Sequence, residues 1–76
     1  MARTTFSGPV KTNTAFWLNP ITFANLPTAA AANEGYMYYV SDALKASETA
    51  GNGTGNVVFS DGSNWIRVDN GATAAA

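Results

Sequence analysis

Residues 36–40 read Y-M-Y-Y-V, and residues 56–69 read N-V-V-F-S-D-G-S-N-W-I-R-V-D. Both stretches are rich in aromatic and β-branched residues and are bounded by Gly, Asn, Asp and Ser, the pattern of strands closed by turns. In the first, Tyr36, Tyr38 and Val40 share one face, and Met37 and Tyr39 share the other. A surface strand alternates with polar residues; this one is apolar on both faces, so both need cover. A neighbouring subunit supplies it, or the tyrosine hydroxyls leave one face half-wet. In the second stretch, Asn56–Ser60 and Ser63–Asp69 flank Asp61-Gly62, a pair that tolerates the positive φ of a two-residue hairpin turn. That loop predicts Val58 opposite Trp65 and Val57 opposite Ile66. Trp65, Arg67 and Asp69 then lie on one face, with Ile66 and Val68 on the other. The fold class is mostly β: a small antiparallel sheet or hairpin body.

Working outward, residues 1–25 read as an extended N-terminal arm. Gly8-Pro9 interrupts Thr4-Thr5-Phe6-Ser7, and Pro9 removes a ladder donor. Ala15-Phe16-Trp17-Leu18 is a compact apolar run ended by Asn19-Pro20, and Ile21-Thr22-Phe23 has the period of a short strand. Such an arm either docks on a partner or folds back on its own sheet. Residues 26–69 form the β domain. Within it, Thr28 is placed to cap at most one short helix over residues 29–32, with Gly35 ending it in the left-handed region. Leu44–Glu48 suits a brief helical turn. Residues 50–55 (A-G-N-G-T-G) read as an exposed loop, and the Ala-rich tail, 70–76, as flexible.

The chain has 76 residues and a mass of 7.9 kDa, room for one small domain. Below about 80 residues a single core is rarely enough, and disulfides, metal or partners make up the difference. With neither Cys nor His, disulfides and the usual zinc sites are not available. A partner chain is the remaining staple. Charged residues are 12% of the chain, against roughly 25% in an ordinary soluble protein. Alanine supplies 14 of the residues counted as hydrophobic. The surface is therefore neutral and built of small groups, as interface cores are. Nine aromatic residues set the chain apart from a disordered one.

The net charge is −1, and Arg3, Lys11, Lys45 and Arg67 are scattered singly. Nucleic-acid binding needs such charges clustered, so no nucleic-acid partner is expected. No apolar run approaches the ~20 residues of a membrane span, and Met1–Phe6 lacks the apolar core of a signal peptide, so synthesis in the cytoplasm without membrane attachment is expected.

Motifs that invite chemistry each have a simpler local explanation. Gly51-x-Gly53-x-Gly55 lacks the following Lys and helix of a phosphate loop. Asn52-Gly53-Thr54 matches a glycosylation acceptor that needs secretion to be used. The five acids, Glu34, Asp42, Glu48, Asp61 and Asp69, sit at turns and strand ends, and no His is present to serve as a base. Asp61, Ser63 and Asn64 offer too few oxygens for calcium, which takes six to eight. No catalytic residue, cofactor or metal ligand is expected. Trp65 with Tyr36, Tyr38 and Tyr39 has the composition of a sugar-stacking platform, although aromatic residues in strands more often serve a core or interface.

The stretch L-P-T-A-A-A-A-N-E-G-Y-M-Y-Y-V-S-D-A, then a Gly-rich loop, then V-V-F-S-D-G-S-N-W-I-R-V, resembles a recurrent unit of tailed-bacteriophage virion proteins. The carrying residues are Leu26-Pro27, Gly35, Val40-Ser41-Asp42-Ala43 and Phe59–Trp65, and the likeness spans residues 26–67. The opening Phe6-Ser7-Gly8-Pro9-Val10 also resembles the start of small phage head or fibre proteins. The resemblance implies a homotrimeric structural protein of the virion. The expected role is capsid decoration, or cement, on the outer capsid surface, with the major capsid protein as partner. Its alternative is a tail-fibre or head-fibre module that binds host-surface glycans. On the first expectation, Phe6, Pro9, Val10, Phe16, Trp17 and Leu18 contact the capsid. Tyr36, Met37, Tyr38, Tyr39, Val40, Val58, Phe59, Trp65 and Ile66 form the core and subunit interface, and trimerisation completes the fold.

Overall fold

The computed structural model describes residues 5–76. Its body is a four-stranded mixed sheet in the order β1-β2-β3-β4, with β1 at Pro20–Ile21, β2 at Met37–Val40, β3 at Asn56–Ser60 and β4 at Trp65–Arg67. β2–β3 and β3–β4 are antiparallel, as the two aromatic stretches predict. β1 runs parallel to β2, with Ile21 beside Val40, so the sheet is mixed rather than wholly antiparallel. The sheet thus begins at Pro20, inside the stretch read as arm. The Ser41 amide donates to the Ile21 carbonyl at 2.8 Å, and the Phe23 amide to the Asp42 carboxylate at 2.8 Å. These two bonds take the backbone out of β1 and turn it across the sheet.

Among the described residues there is no α-helix. The expected helix over residues 29–32 is replaced by single 3-10 turns at Phe23–Asn25 and Ala31–Asn33. Four alanines cannot nucleate a helix, and the turn is built by a side chain instead. Asn33 Oδ1 accepts from the Ala30 amide at 2.9 Å, and Asn33 Nδ2 donates to the Thr28 carbonyl at 2.9 Å. Gly35 follows at φ +89°, the left-handed geometry its position predicts. Leu44–Glu48 is a tight turn rather than a helical one. Ser47 sits at φ +74°, and the Glu48 carboxylate accepts from Lys45 and Thr54.

The hairpin register differs from the two-residue turn by two positions. Ser60 pairs with Trp65, Phe59 with Ile66 and Val58 with Arg67, leaving Asp61–Asn64 as the loop. The Asp61 carboxylate accepts from the Ser63 and Asn64 amides at 2.9 and 2.8 Å, an Asx turn that needs the longer loop. A shift of two keeps every side chain on its face, so the facial assignment survives. β4 also stops at Arg67, earlier than the expected strand end at Asp69. The Gly71 amide bonds back to the Arg67 carbonyl at 3.1 Å, with Gly71 at φ +78°.

This reversal also gives the tail partners. Residues 72–75 return along β4: Arg67 N–H donates to the Ala72 carbonyl at 2.8 Å, Ala74 N–H to Trp65 at 2.7 Å, and Leu44 N–H to Ala75 at 2.8 Å. Thr73 bridges Ile66, and Ala74 is buried. Methyl-sized side chains let the tail lie close against the edge strand and pair the edge that β4 otherwise exposes.

The core lies on one face of the sheet. Val40, Ala43, Val58, Trp65 and Ala74 form it, and Ile21, Phe23, Leu26, Ala29 and Tyr38 pack against it. Its cover is therefore residues 21–29, laid across the sheet with no more than the 3-10 turn at Phe23–Asn25. The largest wholly buried side chains are only Val40, Val58 and Ser60. The accessible surface is 5451 Å² and the radius of gyration 13.3 Å. A compact monomer of this mass has about 4,400 Å² and about 11.4 Å.

Candidate interaction surfaces

Strand parity divides the residues first grouped as core and interface. On the inner face lie Tyr38, Val40, Val58 and Trp65. Trp65 is 8% exposed, and its indole Nε1 donates to the Pro27 carbonyl at 2.8 Å. Tyr38 meets it edge-to-face with centroids 5.5 Å apart. These side chains are occupied within the chain. Trp65 and Tyr38 are therefore not presented together with Tyr36 and Tyr39 as a stacking platform.

On the outer face, Met37 is paired with Phe59, Tyr39 with Val57, and Phe59 with Ile66. Val68 adjoins them, its amide donating to the Val57 carbonyl at 3.2 Å. Met37 and Val68 are 52% and 51% exposed; Tyr39, Val57, Phe59 and Ile66 are half-buried. Tyr36 is exposed at the entry to β2. Val57 and Val68, placed beside Ile66 by the alternation in the sequence, were not counted with the core and interface residues, although the same alternation that picks out Phe59 and Ile66 contains them. Gly55 was missed as well. A Cβ there would overlap the Tyr39 hydroxyl, so Gly55 lets that hydroxyl come up against the backbone.

The residues expected to touch a capsid lie along 5–19, outside the strands. Phe6, Pro9, Val10, Phe16 and Trp17 are exposed, Trp17 to 84%, and Leu18 is half-buried. The hydrogen bonds here are local: the Thr12 hydroxyl donates to the Ala15 carbonyl at 3.3 Å and accepts from the Thr14 amide at 3.4 Å.

The polar groups hold loops. Ser60, 1% exposed, donates its hydroxyl to Asn33 Oδ1 at 2.9 Å and accepts from the Gly62 amide. Asn56 Nδ2 and Arg67 Nη1 both donate to the Leu44 carbonyl, at 3.2 and 3.3 Å. Asp69 pairs with Arg67 Nε at 3.4 Å and accepts from the Ala46 amide at 2.7 Å. The Ala46 amide, first, and then Asn56 and Arg67 hold the Asp69 carboxyl below the usual carboxylate range. The Lys45 amide and the Thr54 hydroxyl do the same for Glu48, and the Asn64 and Ser63 amides for Asp61. Glu48 and Asp61 thus close the turns they sit in, and Asp69 ties its turn to the loop at Ala46. The described residues enclose no pocket and bring no three metal-ligating side chains together. None of their helices is long and apolar enough to cross a membrane. No family model, curated protein or solved structure matches the chain.

Proposed function

We propose that this chain is a capsid decoration protein of a tailed phage, bound as a homotrimer to the outer surface of the assembled shell. The observation that carries the reading is the run of uncovered apolar side chains before β1, from Phe6 through Phe16 and Trp17, in a chain that exposes more surface than its mass requires. Apolar surface of this kind marks a contact with another macromolecule. The likeness of residues 26–67 to phage virion units supplies the class of partner. The fibre-module alternative loses support, because Trp65 and Tyr38 are spent in the core.

The mechanism is mass action. A ligand that binds the closed lattice and not its dissociated subunits stabilises the lattice by its binding free energy. A trimer engages three equivalent sites at once, so a weak contact per arm suffices. Purified protein mixed with undecorated heads tests this. Saturable binding in multiples of three per lattice site is expected, and deletion of residues 2–18 abolishes it while the sheet still folds. Binding to host cells but not to heads would favour the fibre module. Retention on heads after the deletion would remove the arm from the mechanism.

A further inference from the structure

We infer that Asn52-Gly53 is a site of spontaneous covalent modification, where the folded chain converts Asn52 to aspartate and isoaspartate while its other Asn-Gly pair, Asn70-Gly71, stays intact. The chemistry needs no enzyme. The Gly53 backbone nitrogen attacks the Asn52 side-chain carbonyl carbon and gives its proton to solvent. The carbon–Nδ2 bond breaks, ammonia leaves with a proton from water, and a succinimide ring remains. Water then opens the ring at one carbonyl or the other, which yields aspartate or isoaspartate. Glycine after the asparagine favours attack, because no Cβ shields the nitrogen. The chain has three pairs with the residues for such a ring: Asn52-Gly53, Asp61-Gly62 and Asn70-Gly71.

Hydrogen bonding, not exposure, separates them. Asn52 and Asn70 are both exposed. Asn70 Oδ1 accepts from Arg67 Nε at 3.2 Å, from Arg67 Nη2 at 3.1 Å and from the Ala72 amide at 3.0 Å. Its attacking group, the Gly71 amide, is spent on the Arg67 carbonyl at 3.1 Å. Asp61 is locked in the same way: its carboxylate holds the Ser63 and Asn64 amides, and the Gly62 amide donates to the Ser60 hydroxyl at 3.2 Å. At the first pair, the Asn52 backbone amide donates to the Thr49 carbonyl at 2.9 Å and closes a turn through Gly51, at φ +88°. Neither the Asn52 carboxamide nor the Gly53 amide is engaged by another described residue. Electrophile and nucleophile are therefore both free, at the exit of a turn in an exposed loop, where covalent change concentrates.

The fold also holds the reactive pair in place. A Cβ on Gly53 would overlap the Asp42 and Ala43 carbonyls, so no larger residue can follow Asn52 and slow the attack. The same close packing makes the product felt. Isoaspartate lengthens the main chain by one methylene immediately before Gly53. The next two residues are tied down: Thr54 Oγ1 donates to Glu48 Oε2 at 2.6 Å, and the Gly55 amide to the Ala43 carbonyl at 3.0 Å. Either product adds one negative charge to a chain whose net charge is −1, on the same loop as the Glu48 carboxylate. Modification therefore loosens residues 48–55 from the body. The reaction is a property of the loop and does not depend on the capsid reading.

The full wild-type chain tests this, incubated in warm, mildly alkaline buffer, either folded or in urea, and then digested with trypsin. Cleavage after Lys45 and Arg67 places Asn52 in peptide 46–67 and Asn70 in peptide 68–76, and fragment masses locate the amide-to-acid change within each. In urea the two pairs are expected to react at similar rates. In the folded chain Asn52 is expected to keep its rate and Asn70 to slow by at least about tenfold, the factor set by two or more hydrogen bonds that must open first. The isoaspartate form, separated by anion exchange, is expected to have a lower urea midpoint than fresh protein. Asn52→Gln, incubated alike, is expected to gain no mass at residue 52 and to keep its midpoint. Equal rates at Asn52 and Asn70 in the folded chain, or an Asn52 that slows on folding as much as Asn70, would overturn the assignment. An isoaspartate form with the midpoint of fresh protein would overturn the loosening of the loop.

Discussion

Replacing Trp65 with Phe asks whether the inner face is a core or a surface waiting for a partner. The indole Nε1–H bond to the Pro27 carbonyl, 2.8 Å long, ties the covering segment to β4. Its loss costs about 1 kcal/mol, since the freed carbonyl belongs to an exposed residue and can find water. The ring is 8% exposed and packs with Val40, Val58, Ala43 and Ala74, so a smaller ring leaves a gap. For a gap of roughly 40 Å³ the cavity term is about 1 kcal/mol at ~24 cal/mol per Å³. The two contributions give a loss of about 2 kcal/mol. With a urea slope of ~1 kcal/mol/M for so small a chain, the unfolding midpoint falls by about 2 M. Circular dichroism in urea at fixed protein concentration measures this, the concentration being held because association shifts the apparent midpoint. The edge-to-face contact with Tyr38 adds a check: a double-mutant cycle with Tyr38→Leu is expected to show coupling of about 0.5–1.5 kcal/mol. A loss below ~0.5 kcal/mol, the size of an ordinary surface change, would refute both the hydrogen bond and the core assignment.

Asn33→Ala removes the acceptor of the Ala30 and Ser60 bonds and the donor to Thr28, and is expected to cost about 2–3 kcal/mol in urea; Asn33→Asp, which keeps the acceptor, should cost less than half of that. Gly55→Ala combines φ +110° with an overlap on the Tyr39 hydroxyl and is expected to cost about 2–3 kcal/mol, against about 1 kcal/mol for Gly51→Ala, where φ is +88° and the space is open; equal losses would show that Tyr39 does not lie on Gly55. Acid titration of stability reads the turn carboxylates. Glu48, Asp61 and Asp69 are held below their ordinary values by amide and hydroxyl donors, so the unfolded chain binds more protons than the folded one. Their contribution is complete above the ordinary carboxylate range, about pH 4, and is lost as pH falls through the lower folded values. A urea midpoint that stays flat or rises on acidification would contradict these bonds.

What was legible in the sequence was whatever strand parity or a turn residue encodes. The alternation of Met37–Val40 and Asn56–Ser60 gave the faces correctly, and Gly35 adopted the geometry its place demanded. The period of Ile21-Thr22-Phe23 pointed to a short strand, but its parallel pairing with β2 and the pairing of the tail along β4 were hidden for a common reason. Neither pairing has a signal in the sequence: β1 keeps only Pro20–Ile21, and alanines read as low-complexity sequence. Both are fixed by tertiary hydrogen bonds, Ser41 to Ile21 in one case and Arg67 to Ala72 in the other. The hairpin register failed because Asp61-Gly62 suits two loop lengths, and only the Asp61 carboxylate's grip on Ser63 and Asn64 selects the longer.

The candidate surfaces show where such reading stops. Side chains apolar on both faces of β2 announce that two layers are needed, yet the sequence does not say which face the chain itself covers. That choice is made by Phe23, Leu26 and Ala29, carried over the inner face by the backbone that leaves β1. Once they are placed there, Met37 and Val68 keep about half their surface in solvent, while Tyr39, Val57, Phe59 and Ile66 stay half-buried on the other face. The parity of β2 thus names two apolar faces, and the segment that follows β1 decides which of them becomes the core.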